Sequence, residues 1–145
     1  MARPLAAPPG QNESGTNPAA MRPCVPTASR RHRTKDPTMP MTQHYAATEP
    51  PRTEVDALNG GTVLEFGAPW CGFCQRAQPA LAEAFAVHPG LRHIKVEDGS
   101  GRPLGRSFRI KLWPTLVFLR DGQEVARLIR PTEADPIREA MRRIS

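Results

Sequence analysis

The rhythm of apolar and polar positions changes several times along the chain, and each change marks an element. "TVLEFGA" (62–68) is a short apolar run rich in strand formers, bounded by Gly60-Gly61 and Pro69, and predicts a strand. From Gly72 onward, Phe73, Ala77, Ala80, Leu81, Ala84 and Phe85 recur at helical spacing. They predict a helix to about Val87, kinked at Pro79 and ended by His88-Pro89-Gly90. "LRHIKVE" (91–97) alternates imperfectly and predicts a second strand, followed by a loop at 99–103 and a short helix or turn at 104–110. "PTLVFLRDGQEVARLI" (114–129) reads as a β-hairpin, with Asp121-Gly122 as a type I′ turn pair between two strand-forming runs. The chain closes with a helix. Asp135 is expected to cap it, with Pro136 at its first position, and Ile137, Ala140, Met141 and Ile144 form one apolar stripe. A short helix is allowed at 53–58.

This order dictates an architecture. The first two strands are joined by a helical crossover, so they should run parallel and right-handed. The hairpin strands must be antiparallel. An α/β fold follows, with a central mixed β-sheet flanked by helices.

Composition divides the 145 residues unevenly. Residues 1–40 hold eight of the 17 prolines, no Phe, Trp or Tyr, and six basic side chains against Glu13 and Asp36. Such a segment buries too little apolar surface to offset the entropy of ordering it. We therefore expect a disordered Pro/Arg-rich tail over 1–50 and a folded domain over 51–145. Met21, Met39 and Met41 are all possible starts, and a natural product beginning at Met39 or Met41 is expected. The high pI belongs mostly to the tail. "SRRHRTK" (29–35) can attract phosphate, but no aromatic residue is interleaved for base stacking, so no nucleic-acid partner is expected. No apolar run suits a secretory signal or a membrane span. The prolines disfavour an amphipathic transit helix.

The chemistry lies in "FGAPWCGFCQRAQPAL" (66–81). Cys71 stands at a strand end where a helix starts. There the free N–H groups and the positive helix dipole favour the thiolate, which is the nucleophile in disulfide exchange. Cys74, one turn on, is near enough to close a disulfide and more shielded. Cys71 would attack and Cys74 would resolve. A CxxC pair also occurs in zinc sites, which need about four ligands, and here His88 and His93 would have to supply the rest. No metal is expected. Cys24, alone in the tail, has no local partner.

Trp70-Cys71-Gly72-Phe73-Cys74, with Pro79 eight residues after Cys71, Pro114-Thr115 opening the hairpin and Asp121-Gly122 at its turn, resembles the thioredoxin superfamily over about 60–145. The resemblance implies a thioredoxin fold and a cis peptide before Pro114. That bond would turn the Trp113 backbone toward the cysteines, where it can pair with an extended substrate segment. Trp70, Gly72, Phe73, Trp113 and Pro114 are then the expected substrate-binding residues. Glu65, inside the strand six residues before Cys71, matches the family's proton acceptor for the second cysteine, usually Asp, and Lys95 matches its lysine partner. Glu65 with "APWCG" is closer to protein disulfide isomerase domains. The bland alternative places Glu65 on a solvent-facing edge.

Several positions depart from the family pattern. Gly67 stands where many thioredoxins carry an aromatic residue. Phe73 replaces the common proline or histidine, Trp113 is larger than usual, and Arg130-Pro131 replaces a glycine-containing turn. The N-terminal βα unit is expected to be reduced. The resemblance implies a monomeric protein-disulfide reductase in the cytoplasm, with no bound cofactor beyond the redox-active Cys71–Cys74 pair, acting on protein disulfides and recharged by a partner reductase. Two alternatives stay open: an oxidant or isomerase, and a non-catalytic binding or assembly module.

Overall fold

The structure is a computed structural model that describes residues 41–145. The expectations for residues 1–40, Cys24 and the alternative starts included, lie outside the described residues.

Strand β1 (Gly61–Gly67) is followed by helix α2 (Gly72–Ala86), strand β2 (Arg92–Glu97), the short helix α3 (Pro103–Ser107), the hairpin β3 (Thr115–Arg120) and β4 (Gln123–Ile129), and helix α4 (Ala134–Arg142). A five-residue helix α1 (Arg52–Asp56) precedes β1. The strand order is β2-β1-β3-β4. β1 pairs parallel with β2 and antiparallel with β3, and β3 pairs antiparallel with β4, the mixed sheet expected from the element order. Asp121 and Gly122 have φ of 49° and 76°, as a type I′ turn requires, so the hairpin closes in two residues.

Alternation along β1 sends side chains to two cores. Val63 joins α2 and α4 in one, with Ala77, Leu81, Phe85, Ile137 and Met141. Leu64 and Phe66 face the other, with Val55, Leu104 and Phe108. Burial of these two layers is what holds the sheet between its helices.

Two expectations are corrected. Residues 41–50, assigned to the tail by composition, include a segment packed along the outer edge of β2. Thr42 Oγ1 donates to His93 O at 2.7 Å, and Ala46 N donates to Lys95 O at 3.0 Å. Met41 also packs on the core. This segment is not itself a strand, so the N-terminal βα unit is indeed reduced. The last helix starts at Ala134 with Glu133 as its N-cap, two residues earlier than expected, and no side chain caps it. Ala134 is buried in the core, which draws the first turn inward, while Asp135 pairs with Arg138. Pro136 remains within the first turn, where its missing N–H leaves nothing unpaired.

Candidate active site

The first turn of α2 builds the thiol site. Cys71 is its N-cap in extended conformation, and Cys71 Sγ accepts from Cys74 N at 3.4 Å. Both cysteines are reduced and buried, Cys71 at 8% exposure and Cys74 at 2%. Cys71 is thus the more accessible of the two. Burial acts to raise the Cys71 thiol, but hydrogen bonds from the Cys74 thiol and from the Cys74 and Phe73 N–H groups, with the Arg130 charge, hold it below the ordinary value. Burial first, and then the Cys71 thiol, push Cys74 up to about 11. The Cys71 sulfur is held toward the thiolate and the Cys74 sulfur toward the thiol.

The expected docking residues gather around this pair. The Trp113–Pro114 peptide is cis. Trp113 packs on Ala68, Cys71 and Cys74, and its ring meets that of Trp70 edge-on at 5.6 Å. Trp113 Nε1 donates to Asp98 at 2.8 Å, which fixes the indole. Trp70 is 72% exposed and Phe73 46%, an apolar surface beside the thiols. Gly72 has open space around its α-carbon, so a side chain there would project outward.

Glu65 is fully buried, and β1 is an inner strand, so the solvent-facing alternative does not hold. Its carboxylate accepts from Gln78 Nε2 at 2.8 Å and from His93 Nε2 at 3.1 Å, with Lys95 Nζ at 3.7 Å. Thr42 N donates to His93 Nδ1 at 3.1 Å, so that nitrogen bears no proton and Nε2–H is the donor to Glu65. Gln78 ties the group together: its amide also donates to Cys74 O and accepts from Lys95 Nζ. No hydrogen bond joins Glu65 directly to Cys74 among the described residues. His93 belongs to this network and His88 lies by Ser145 at the far end of α2, so neither histidine completes a zinc site with the cysteines. Among the described residues no cluster of three or more His, Cys, Asp or Glu has a metal-binding arrangement.

Two participants were missed by sequence reasoning. A Cβ on Gly67 would lie 2.5 Å from Cys74 Sγ and 2.8 Å from the Tyr45 hydroxyl, so the small residue lets both approach. Tyr45, the single tyrosine of the chain, thus fills space that the missing aromatic at position 67 leaves beneath the site. Its hydroxyl is buried without a hydrogen-bond partner. Burial, the Glu65 charge and Cys74 push Tyr45 above the ordinary phenol range, so the hydroxyl keeps its proton and can only donate to a Cys74 thiolate. The departure at Gly67 was the available signal. Gln78, one turn beyond Cys74 on the same helix face, was the other. The two sit with Lys95 and Glu97 around a pocket of about 460 Å³ that reaches Cys74 from behind.

Arg130, just after β4, has φ of 53°, in the left-handed region that costs a side chain about 1–2 kcal/mol. Its N–H donates to Pro114 O at 2.8 Å, and its Nε to Trp113 O at 3.0 Å.

The sequence model of the Thioredoxin family matches residues 45–143. The chain belongs to the thioredoxin family. It is 34% identical over 84 residues to a thioredoxin of Chlamydia trachomatis, covering 57% of this chain and 81% of that one. It is 33% identical over 118 residues to protein disulfide-isomerase A2 of Pongo abelii, covering 66% of this chain but 22% of that protein. The solved structure of reduced thioredoxin 2 from Pseudomonas aeruginosa superposes with a TM-score of 0.65 at 57% identity, over 72% of this chain and 96% of the other. The chain spans 22% to 81% of the length of the first curated relatives it matches, and less than two thirds of most of them. The sequence-based thioredoxin fold stands. Among the described residues no helix is long and apolar enough to cross a membrane.

The two thiols should separate in a pH series. Alkylation of Cys71 should titrate below the ordinary thiol range, while Cys74 should resist until about pH 11. Because the folded state raises Cys74, the stability it lends the reduced protein is full below its unfolded value. That stability should fall between about pH 9 and 11. Denaturant titrations of wild type and Cys74→Ser, compared across that window, check the sign.

Proposed function

We propose that this thioredoxin-family protein is a thiol–disulfide oxidoreductase that reduces protein disulfides in the cytoplasm as a monomer. The observation that carries the reading is the asymmetry of one CxxC pair: an accessible sulfur held toward the thiolate, three residues from a shielded sulfur held as the thiol. Cys71 thiolate attacks one sulfur of the substrate disulfide, forms a mixed disulfide and releases the other substrate sulfur as thiolate. Cys74 then loses its proton and attacks Cys71 Sγ. The second substrate thiol leaves, two electrons have passed to the substrate, and Cys71–Cys74 remains as a disulfide. A partner reductase returns it to the dithiol, and no other cofactor takes part.

Glu65 serves as acceptor for the Cys74 proton, held in place by Lys95, Gln78 and His93. The transfer is indirect. The Tyr45 hydroxyl faces Cys74, and Glu65 is the largest charge acting on it. Tyr45 is therefore placed to donate to the Cys74 thiolate as it forms. Tyr45→Phe should slow mixed-disulfide resolution about 10²-fold, the low end of what one such donor supplies, and leave the first attack unchanged. Stopped-flow separation of the two phases tests this. An unaltered second phase removes Tyr45 from the chemistry.

The oxidant or isomerase reading rests on a specific observation too. The several donors around Cys71, with Arg130, stabilise the thiolate and hence the reduced form, which makes a dithiol pair more oxidising. An equilibrium redox titration with Trp70 fluorescence as readout decides. A two-electron transition near ~−270 mV supports the reductase, and one near ~−180 mV the oxidant or isomerase. Absence of any reversible transition defeats both and leaves the binding-module alternative.

A further inference from the structure

Phe73, the unusual residue between the two cysteines, is covered by two guanidinium groups. Arg130 lies 3.9 Å from the ring centroid and Arg76 4.6 Å. Neither arginine forms an ion pair among the described residues, although Arg52, Arg102, Arg127, Arg138 and Arg142 all do. Both are exposed, so their charges remain available to a ligand. Arg130 is also among the groups that act electrostatically on Cys71. Its Nε occupies Trp113 O, a backbone acceptor beside the thiols at the open end of β3. A substrate strand docking there would need that same acceptor.

We propose that Arg130 and Arg76 form a cationic clamp around Phe73 that selects disulfides flanked by an acidic side chain, and that the substrate carboxylate draws Arg130 off Trp113 O. The exchange is favourable because a carboxylate offers a guanidinium two charged acceptors, whereas the carbonyl offers a neutral one. The freed carbonyl then accepts an N–H of the substrate backbone. A basic side chain at the same place meets two like charges and leaves the acceptor covered. The left-handed conformation of Arg130 fits this role, since a side chain in that region stays only where the surroundings hold it. The inference rests on the oxidoreductase reading.

Three synthetic peptides with one intramolecular disulfide test it on the full chain. They differ only in whether Glu, Gln or Lys follows the cysteine that is attacked. Each value of kcat/KM is divided by the rate at which dithiothreitol reduces the same peptide, which removes the intrinsic effect of the charge on the disulfide. The expected order is Glu, Gln, Lys, with about three-fold per step, the scale of an exposed charge pair, shrinking as salt rises to about 1 M. Arg130→Gln should reduce the Glu-to-Lys ratio to about three or less, and Arg130→Glu should invert it. Arg76→Gln should reduce it as well, which provides a second reading if a substitution at position 130 disturbs the turn. Equal corrected rates for the three peptides, or a ratio unmoved in both Arg130→Gln and Arg76→Gln, overturn the clamp and leave the oxidoreductase reading standing. Failure to reduce any of them overturns both.

Discussion

Replacing Cys71 by Ser should take catalysed reduction of a protein disulfide to the uncatalysed background, a loss on the order of 10³ or more. Serine is not ionised where a thiol is, and the donors aimed at Sγ from the first turn of α2 then have no thiolate to stabilise. Cys74→Ser should fail differently. Cys71 can still attack, but nothing displaces the substrate from it, so a covalent Cys71–substrate disulfide accumulates. Non-reducing gels and intact mass distinguish the outcomes: no adduct for Cys71→Ser, a stable adduct for Cys74→Ser. An adduct through Cys74 instead would reverse the roles, which the exposures of the two sulfurs argue against. Cys71→Ser should cost little stability, since Cys71 is the more accessible sulfur, whereas Cys74→Ser buries a hydroxyl at 2% exposure and should cost about 1–3 kcal/mol. Lost turnover in Cys71→Ser with an unchanged unfolding midpoint therefore reports chemistry.

Much of this site was legible in the sequence because its physics is local. Cys71 at a strand end before a helix, Asp121-Gly122 between two apolar runs, and the helical stripes needed only near neighbours in the chain. The rest depended on long-range placement. Glu65 had two readings until β1 was seen as an inner strand with a core packed on each face of the sheet. Tyr45 sits in no periodic element, and nothing near it in sequence indicates that it runs along β2 to reach Gly67. Arg130 stood out as a departure from the family's glycine, but the carbonyl its side chain takes lies 17 residues away in the chain. The start of α4 was misplaced because Asp135-Pro136 looked like a helix start by local rules, whereas burial of Ala134 decided the first turn.

Glu65→Gln should be the most destabilising conservative change in the domain, by about 3–5 kcal/mol, because it leaves a buried cation without its counter-charge. Lys95 is 4% exposed and would keep only neutral partners, the Gln78 carbonyl oxygen and the Tyr45 ring face 4.8 Å away. The amide cannot restore the other contacts. Thr42 N–H fixes the His93 tautomer with its proton on Nε2, so His93 needs an acceptor at position 65. Gln78 Nε2 needs one too. A carboxylate serves both with its two oxygens. A glutamine has one oxygen, and its NH₂ would face a donor on one side or the other. Adding Lys95→Met to Glu65→Gln should recover a large part of the loss by removing the unpaired cation, a coupling that urea titrations of the single and double variants would measure. The chemical role separates from the structural one in the same set. If Glu65 accepts the Cys74 proton, the double variant regains stability yet still resolves the mixed disulfide about 10²-fold more slowly, the usual scale for a lost general base. Recovery of both together would make Glu65 a structural charge and leave the Cys74 proton to solvent in the pocket that reaches it.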